Sequence, residues 1–328
     1  MKTIDVTALG EILIDFTENG VSSQGNPIIE VNPGGAPCNV LAMLRKFDRQ
    51  VAFIGKVGND TFGHFLRQRV SELGIDTQHL FIDKEVHTTL AFVHTMKNGD
   101  RDFSFYRDPG ADRMLNEFEI DEDLIKKTKI FHFGTLSMTH VGVRKATLKA
   151  LSIAKESGCI ISFDPNIREP LWKSLEDARQ QVETSLAYCD VLKISDNEIR
   201  WFTGENDFSA GVNKLREKFD LPLILVSMGE KGSRAYYKEL IVESEAFRNK
   251  NTIDTTGAGD TFFGCVLNYI LDWGLDELDE GKLRSMLRVA NAAASLITTR
   301  KGALCSMFEQ EEIQSFIESR KIMNSEKY

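Results

Sequence analysis

The stretch Asp254-Thr255-Thr256-Gly257-Ala258-Gly259-Asp260 sets a small-residue turn directly before a carboxylate and the start of an apolar helical pattern. Gly257 and Gly259 can take positive φ and let a ligand approach the backbone, while Ala258 adds almost no bulk between them. Phe262, Phe263, Val266, Leu267 and Ile270 recur at helical spacing, which predicts a helix that begins near Asp260 and packs that face inward. The unpaired amides of a helix N-terminus, with a macrodipole worth roughly half a positive charge, favour an anion such as phosphate. A carboxylate there needs a reason. Asp260 is either an N-cap that accepts from the first helical amides, or a general base that takes a proton from an attacking hydroxyl while the 257–260 amides hold the charge growing on a transferred phosphoryl group. The rest of the chain has to decide between the two.

Four short apolar runs, Ile130–Phe133, Cys159–Phe163, Val191–Ile194 and Leu223–Val226, are separated mostly by helical segments and predict a parallel sheet flanked by helices. Ligands of such sheets lie beyond the carboxyl ends of the strands. The residues at those ends are Gly134, then Asp164-Pro165-Asn166-Ile167-Arg168, then Ser195 to Glu198, then Ser227-Met228-Gly229. They are polar or glycine and are expected to face one crevice suited to an anionic ligand. Lys193 lies inside one of these strands, where a buried ammonium needs a counter-charge or a phosphate. Ser227, Gly229, Gly232 and Ser233 form a turn whose amides can face phosphates or simply close a hairpin.

Upstream, Ile4–Leu9 reads as a strand, and Glu11–Phe16 is expected to continue it, with Asp15 among apolar neighbours that give a carboxylate a hydrogen-bonding task. Asn32-Pro33-Gly34-Gly35-Ala36-Pro37-Cys38-Asn39 is a sharp bend before a helical run. Its two side-chain-free residues ahead of a polar amide would let a polyol lie against the backbone. A second bend, Gly55 to Asp60, precedes a helix over Thr61–Leu73 as ordinary punctuation. Thr88–Met96 and Arg101–Arg107 are β-rich runs joined by Lys97-Asn98-Gly99-Asp100, a strong hairpin signal. By the period of two, Phe103, Phe105 and Arg107 share a face, which leaves Arg107 as a solvated edge charge or as the end of an aromatic stripe. Together with Pro27–Val31 these strands are expected to form a small sheet that covers a pocket. Leu283, Met286, Leu287, Ala290, Ala294 and Ile297 mark a late helix, with Asn291 in its alanine-rich part, and the charged C-terminus reads as a short helix and tail.

A chain of 328 residues with 42% apolar content can bury a sizeable core. A net charge of −9 argues against nucleic acid or an anionic membrane surface as a partner. Nothing in the chain has the length of apolar sequence needed to span a bilayer, and Asp5 interrupts the N-terminus before a signal-peptide core, so a cytosolic location is expected. The cysteines at 38, 159, 189, 265 and 305 are scattered without metal-ligand spacing, so reduced thiols are expected, with Cys38 beside the Gly-Gly turn the one whose context could expose it.

These motifs resemble the ribokinase-like sugar kinases of the PfkB type over nearly the whole chain. Gly-Gly-Ala-Pro-Cys-Asn at 34–39 is similar to that family's N-terminal signature and Asp254–Asp260 to its C-terminal one, in the same order and separation. Glu11-Ile12-Leu13-Ile14-Asp15, Asp102-Phe103-Ser104-Phe105-Tyr106-Arg107 and Asp164-Pro165-Asn166-Ile167-Arg168 are most similar to fructokinases. The resemblance implies a three-layer α/β fold with a mostly parallel central sheet flanked by helices and a small β-sheet lid. The kinase domain would span 1–312, with lid segments at about 15–33 and 86–108, followed by a helix and tail over 313–328. It also implies Asp260 as base and Gly257, Ala258 and Gly259 as anion hole. Asp15, Gly34, Gly35, Asn39, Arg107 and Arg168 would hold the sugar. Lys193, Ser227, Gly229 and Gly232 would contact nucleotide phosphates, with Asn291 near the adenine. Asp254, Thr256, Ile297, Gly302 and Ser306 match the loop that binds a monovalent cation, K⁺, in several relatives, Mg²⁺ would arrive with ATP, and pairing through the lid would give a homodimer.

Two departures stand out. The family's Asn-x-x-Glu appears as Ser195-Asp196-Asn197-Glu198, which keeps the Glu198 role in ordering magnesium-bound water and questions the asparagine's, and Cys38 stands where alanine is commoner. The expected activity is ATP-dependent phosphorylation of D-fructose at its 6-hydroxyl. The alternative is a 2-dehydro-3-deoxygluconate kinase, whose acidic substrate would favour cationic contacts near Arg107 and Arg168. A catalytically silent sugar sensor on the same scaffold is the reading from a different class.

Overall fold

The computed structural model describes residues 2–95 and 101–325, without the side chains of 94, 95, 101–103 and 321–325. The hairpin turn expected at 97–100 lies outside the described residues. Nine strands form the main sheet in the order β13-β12-β11-β10-β9-β8-β1-β4-β5. Their ranges are β1 Ile4–Leu9, β4 Val51–Gly58, β5 Leu80–Asp83, β8 Thr128–Gly134, β9 Ile160–Asp164, β10 Val191–Ser195, β11 Leu223–Ser227, β12 Ser233–Tyr237 and β13 Leu240–Ser244. Pairing is parallel from β5 through β11, and β12 and β13 close that edge antiparallel. The four apolar runs of the sequence are β8 to β11. They lack polar alternation because helices cover both faces of the sheet, as the fully buried β4 also shows.

A second sheet, β3-β2-β6-β7, is built from β2 Leu13–Val21, β3 Pro27–Gly34, β6 Leu90–Thr95 and β7 Arg101–Tyr106. Here the structure departs from the sequence reading: Glu11–Phe16 does not continue β1. The chain leaves the main sheet at Gly10, whose missing Cβ makes room for the Pro37 ring, and β2 pairs antiparallel with β3 and parallel with β6. One face of this sheet carries Leu13, Asp15 and Phe105 towards the main body.

Three helices bring the chemistry-bearing residues together on one side of the main sheet. The Ala258–Trp273 helix packs between Ala36–Arg45 and Glu280–Ile297. Gly264 permits the first of these contacts, since a Cβ there would stand 2.7 Å from that of Met43. The C-terminal helix, Gln310–Ser325, begins before the expected boundary at 313. Its Ile313 and Ile317 are buried in the main core.

Candidate active site

The loop before the Ala258–Trp273 helix turns through Gly257, whose φ of 76° places it in the left-handed region that a side chain disfavours. The helix starts at Ala258, two residues earlier than the periodicity predicts, and Gly257 is the cap position without any side-chain cap. Asp260 is therefore inside the first turn, and the N-cap reading of it does not hold. Its carboxylate is buried and accepts a 2.8 Å hydrogen bond from Asn39 Nδ2. Asn39 is held by its own helix, whose first amide, Ala36 N–H, donates at 2.9 Å to Glu11 Oε1. Glu11 is buried at the crossover from main sheet to small sheet and acts there as a cap borrowed from elsewhere in the chain.

On the other side of the loop Lys193, inside β10, donates at 2.7 Å to Asp164 Oδ2 at the end of β9. Its ammonium lies beside the glycine turn, since a Cβ on Gly259 would come 2.8 Å from Nζ. Asp164 Oδ1 is buried without a partner among the described residues. Glu198 stitches two strand-end loops together: Oε1 accepts from Ile167 N–H at 2.8 Å, and Oε2 accepts from Ser195 N–H and Oγ at 2.9 and 2.7 Å.

Two cavities meet at this loop, with Thr255 and Gly259 lining both. The first, about 390 Å³, lies under the small sheet and is lined by Asp15, Gly35, Asn39, Arg168 and Asp260. The second, about 520 Å³, takes in Ser227, Gly229, Gly232, Ala258 and Asn291. Asn291 Nδ2 donates to the carbonyls of Ser244 and Glu245, at 3.0 and 3.3 Å, and so pins the end of β13 to the cavity wall.

Not every expected residue sits where the sequence placed it. Lys193 lines the first cavity and not the second, and Glu198 lines neither. Gly34 is behind the wall, where its missing side chain admits the Asp15 carboxylate. Arg107 is the largest departure. It follows the end of β7, is buried, and donates to Asp112, Thr139 and the Leu136 carbonyl, outside the lining of either cavity. Neither an edge charge nor a wall contact describes it. Conversely, Glu11, Phe105, Leu136 and Asn166 line the first cavity without having been singled out as ligand contacts. Glu11 carried the same signal as Asp15, an acid inside an apolar run.

Burial governs the titration of the cluster. It pushes the Asp260 carboxyl above its ordinary value, while the Asn39 hydrogen bond and the charges of Lys193 and Arg168 pull it back only in part. Asp164 is pushed up to about 6 by burial, against the pull of Lys193. For Lys193 burial acts downward, but Asp164, Glu198 and Asp260 outweigh it and the ammonium is held in its charged form. Glu11 rises to about 7, again through burial, with the Ala36 amide opposing. A buried acid of raised basicity, set between a polar cavity and a glycine turn, is equipped to accept a proton from a hydroxyl while the turn and Lys193 hold an anion.

The model of the pfkB family carbohydrate kinases matches residues 3–309. The chain belongs to that family. Among curated relatives it is 40% identical to probable fructokinase-2 of Arabidopsis thaliana, over 95% of each chain. Among solved structures it is similar to fructokinase with bound ATP from Xylella fastidiosa, with a TM-score of 0.89, 29% identity, and coverage of 98% of this chain and 100% of that one. It is also similar to a fructokinase double mutant from Vibrio cholerae O395 in fructose, ADP and potassium ion bound form, with a TM-score of 0.86, 28% identity, and coverage of 97% and 99%. The fold is thus ribokinase-like, a large mostly parallel sheet with a small separate one, as the motifs implied.

Of the residues expected to hold a cation, Asp254, Thr256 and Gly302 meet. Asp254 accepts from Thr256 N–H at 2.8 Å and from Gly302 N–H at 3.0 Å, and its own amide donates to the Thr298 carbonyl at 3.1 Å. Of the other expected ligands, the Ile297 carbonyl accepts from Arg300 N–H and the Ser306 carbonyl from the Arg300 guanidinium. Among the described residues no cluster of three or more His, Cys, Asp or Glu is placed to hold a metal, and no helix is long and apolar enough to cross a membrane.

Proposed function

We propose that this kinase transfers the γ-phosphoryl group of ATP to the 6-hydroxyl of D-fructose, giving fructose 6-phosphate and ADP. The observation that carries the reading is the junction of two cavities at Thr255 and Gly259, with the only acid of the loop's helical turn, Asp260, on the side of the first. The nucleotide would occupy the larger cavity with its phosphates towards Ser227, Gly229 and Gly232, and the sugar the smaller one, between Asp15, Gly35, Asn39 and Arg168. Asp260 would take the hydroxyl proton, and the amides of Gly257, Ala258 and Gly259 would receive the charge on the transferred group. The β2 and β7 strands would exclude water from above. Mg²⁺ would neutralise charge on the ATP phosphates, and Asp254 and the Thr256 carbonyl, with Ile297, Gly302 and Ser306, would hold a monovalent cation, a reading that the relative with a bound potassium ion supports.

The burial of Arg107 bears on the alternative acceptor. A sugar acid would need cationic contacts, and with Arg107 committed to Asp112, Arg168 is the arginine left lining the acceptor cavity. Parallel assays with D-fructose and 2-dehydro-3-deoxygluconate test this directly: kcat/KM is expected to favour fructose by at least tenfold, and preference for the acid would reverse the assignment. The free state of all five cysteines fits a reducing compartment such as the cytosol. Ile29, Val31 and Tyr106 are exposed on the outer face of the small sheet. We place a homodimer contact there, and Val31→Glu should convert a dimer to a monomer in sedimentation runs if that placement is right.

A further inference from the structure

We propose that Arg107 and Asp112 form a latch that seats the small sheet on the wall of the acceptor cavity, so that Arg107 acts as a positioning residue and not as a sugar ligand. Both roots of the β6–β7 hairpin converge on one buried carboxylate. Thr89, the residue before β6, donates from Oγ1 to Asp112 Oδ1 at 2.5 Å. Arg107, the residue after β7, donates from Nε and Nη2 to Asp112 Oδ2 at 2.8 and 2.6 Å. The rest of the guanidinium reaches the turn after β8: Nη1 donates to Thr139 Oγ1 at 2.9 Å and Nη2 to the Leu136 carbonyl at 2.9 Å. Thr139 Oγ1 also donates to that carbonyl, at 2.8 Å.

Leu136 is the link to function. It lines the same cavity as Phe105, which sits on β7 two residues before Arg107. One guanidinium therefore fixes the spacing between a wall on the main sheet and a wall on the small sheet. Thr89, Arg107 and Asp112 are each buried to within a few per cent, and a planar fork with an Oδ partner on one side and a carbonyl on the other has little freedom to relax. Gly110 completes the packing, because a Cβ there would overlap Thr89 Oγ1. Removing either charge leaves the other buried and unpaired, whereas removing both leaves only the Thr89 hydroxyl without its acceptor. The two residues should consequently behave as a unit.

The test compares Arg107→Met, Asp112→Leu and the double variant, by steady-state kinetics and by amide hydrogen exchange in β6 and β7 of the ligand-free protein. Each single change should raise KM for fructose at least tenfold, leave KM for ATP within twofold, and speed exchange in both strands. The double variant should recover part of the lost affinity and protection, more than either single change would allow if their effects added. Asp112→Asn, which keeps size and one acceptor oxygen, should show the same direction at smaller amplitude if the apolar variants do not fold. A normal fructose KM in Asp112→Leu beside a large defect in Arg107→Met, with no recovery in the double, would assign Arg107 to the sugar and overturn the latch. So would unchanged exchange in all variants. The kinetic arm rests on the fructokinase reading, but the exchange arm uses no substrate, so a wrong acceptor and a wrong latch would be told apart.

Discussion

Replacing Asp260 by asparagine separates the proton chemistry of the site from its shape. The substituted side chain would keep the size of the original and an oxygen able to accept the 2.8 Å hydrogen bond from Asn39 Nδ2, so the packing of the Ala36–Arg45 and Ala258–Trp273 helices is undisturbed. What is lost is the ability to accept a proton. A positioned base is typically worth about a hundred to ten thousand fold, or about 3–5.5 kcal/mol of barrier at 1.36 kcal/mol per tenfold. In a coupled assay of ADP release with fructose and ATP at saturation, kcat should fall within that range, while KM for fructose moves by less than about threefold because an acceptor oxygen remains. A kcat within threefold of the wild type, or a rise in KM that accounts for the whole loss of kcat/KM, would refute the role of base.

The same substitution has a stability signature of opposite sign. Burial raises the Asp260 carboxyl, so the folded state binds this proton more tightly than the unfolded chain does. Stability from that group is present below its unfolded value and is lost as pH rises through the folded one. Above its unfolded value Asp260 is thus a net burden on the fold, and Asp260→Asn should melt at a higher temperature than the wild type at neutral pH, with the gain shrinking as the buffer is made acidic. Loss of activity with gain of stability is the combination expected of a group held in an unfavourable place for chemistry, and a variant both inactive and less stable would point instead to a structural carboxylate.

Glu11 follows the same logic with a number attached. Its folded value of about 7 against an ordinary 4.5 corresponds to about 3 kcal/mol at 1.36 kcal/mol per pH unit, lost as pH rises through 7. Glu11→Gln, which can still accept from the Ala36 amide, should gain up to that amount over the wild type in urea denaturation at pH 8 and nothing at pH 4.5. A pH-independent difference would contradict the burial argument. Lys193→Met should cost about 3–5 kcal/mol by stranding Asp164, and adding Asp164→Leu should recover part of that; strictly additive losses would show that the 2.7 Å pair is not the coupling. Alkylation of the native protein should label Cys305, which is exposed, and spare Cys38, whose thiol is buried and pushed up by desolvation. Inactivation that tracks Cys38 on peptide mapping would reverse this.

The parts of the site that could be read from sequence are those whose chemistry is local. The Asp254–Asp260 loop carries its turn, its acid and its helix within one short stretch, and the strand-end loops are recognisable because parallel strands buried on both faces lose their polar alternation. The misreadings are non-local. The alternation of Glu11–Phe16 is compatible with extending β1, and what ends it is the Pro37 ring against Gly10, a contact between segments far apart in the chain. The period of two puts Arg107 on the face of Phe105, but β7 ends at Tyr106 and the phase of a strand says nothing about the residue after it. Its partner Asp112 lies only five residues on, in a single 3₁₀ turn, Ala111–Met114, too short for sequence periodicity to give it a direction.

Local and non-local parts of the site are also maintained differently. The base, the anion turn and the first helical amides belong to one peptide segment and would survive modest rearrangement of the rest. Asn39 and Lys193 reach Asp260 and the glycine turn only through helix and sheet packing, and the Asn39 contact depends on the close approach that Gly264 allows to Met43. Gly264→Ala would push the Ala36–Arg45 helix away without touching any group in either cavity, since its Cβ would meet that of Met43 at 2.7 Å. Backbone has to move there, and overpacking of this kind costs about 1–3 kcal/mol. The displacement carries Asn39 with it, so the variant should lose fructose affinity and raise KM while its response to ATP is preserved. Asp260 without its Asn39 bond would lose one of the groups that hold its basicity down, so the acid limb of the kcat/KM profile should move to higher pH than in the wild type. An unchanged pH profile together with a raised KM would mean that Asn39 serves the sugar alone and leaves the base to Lys193 and Arg168.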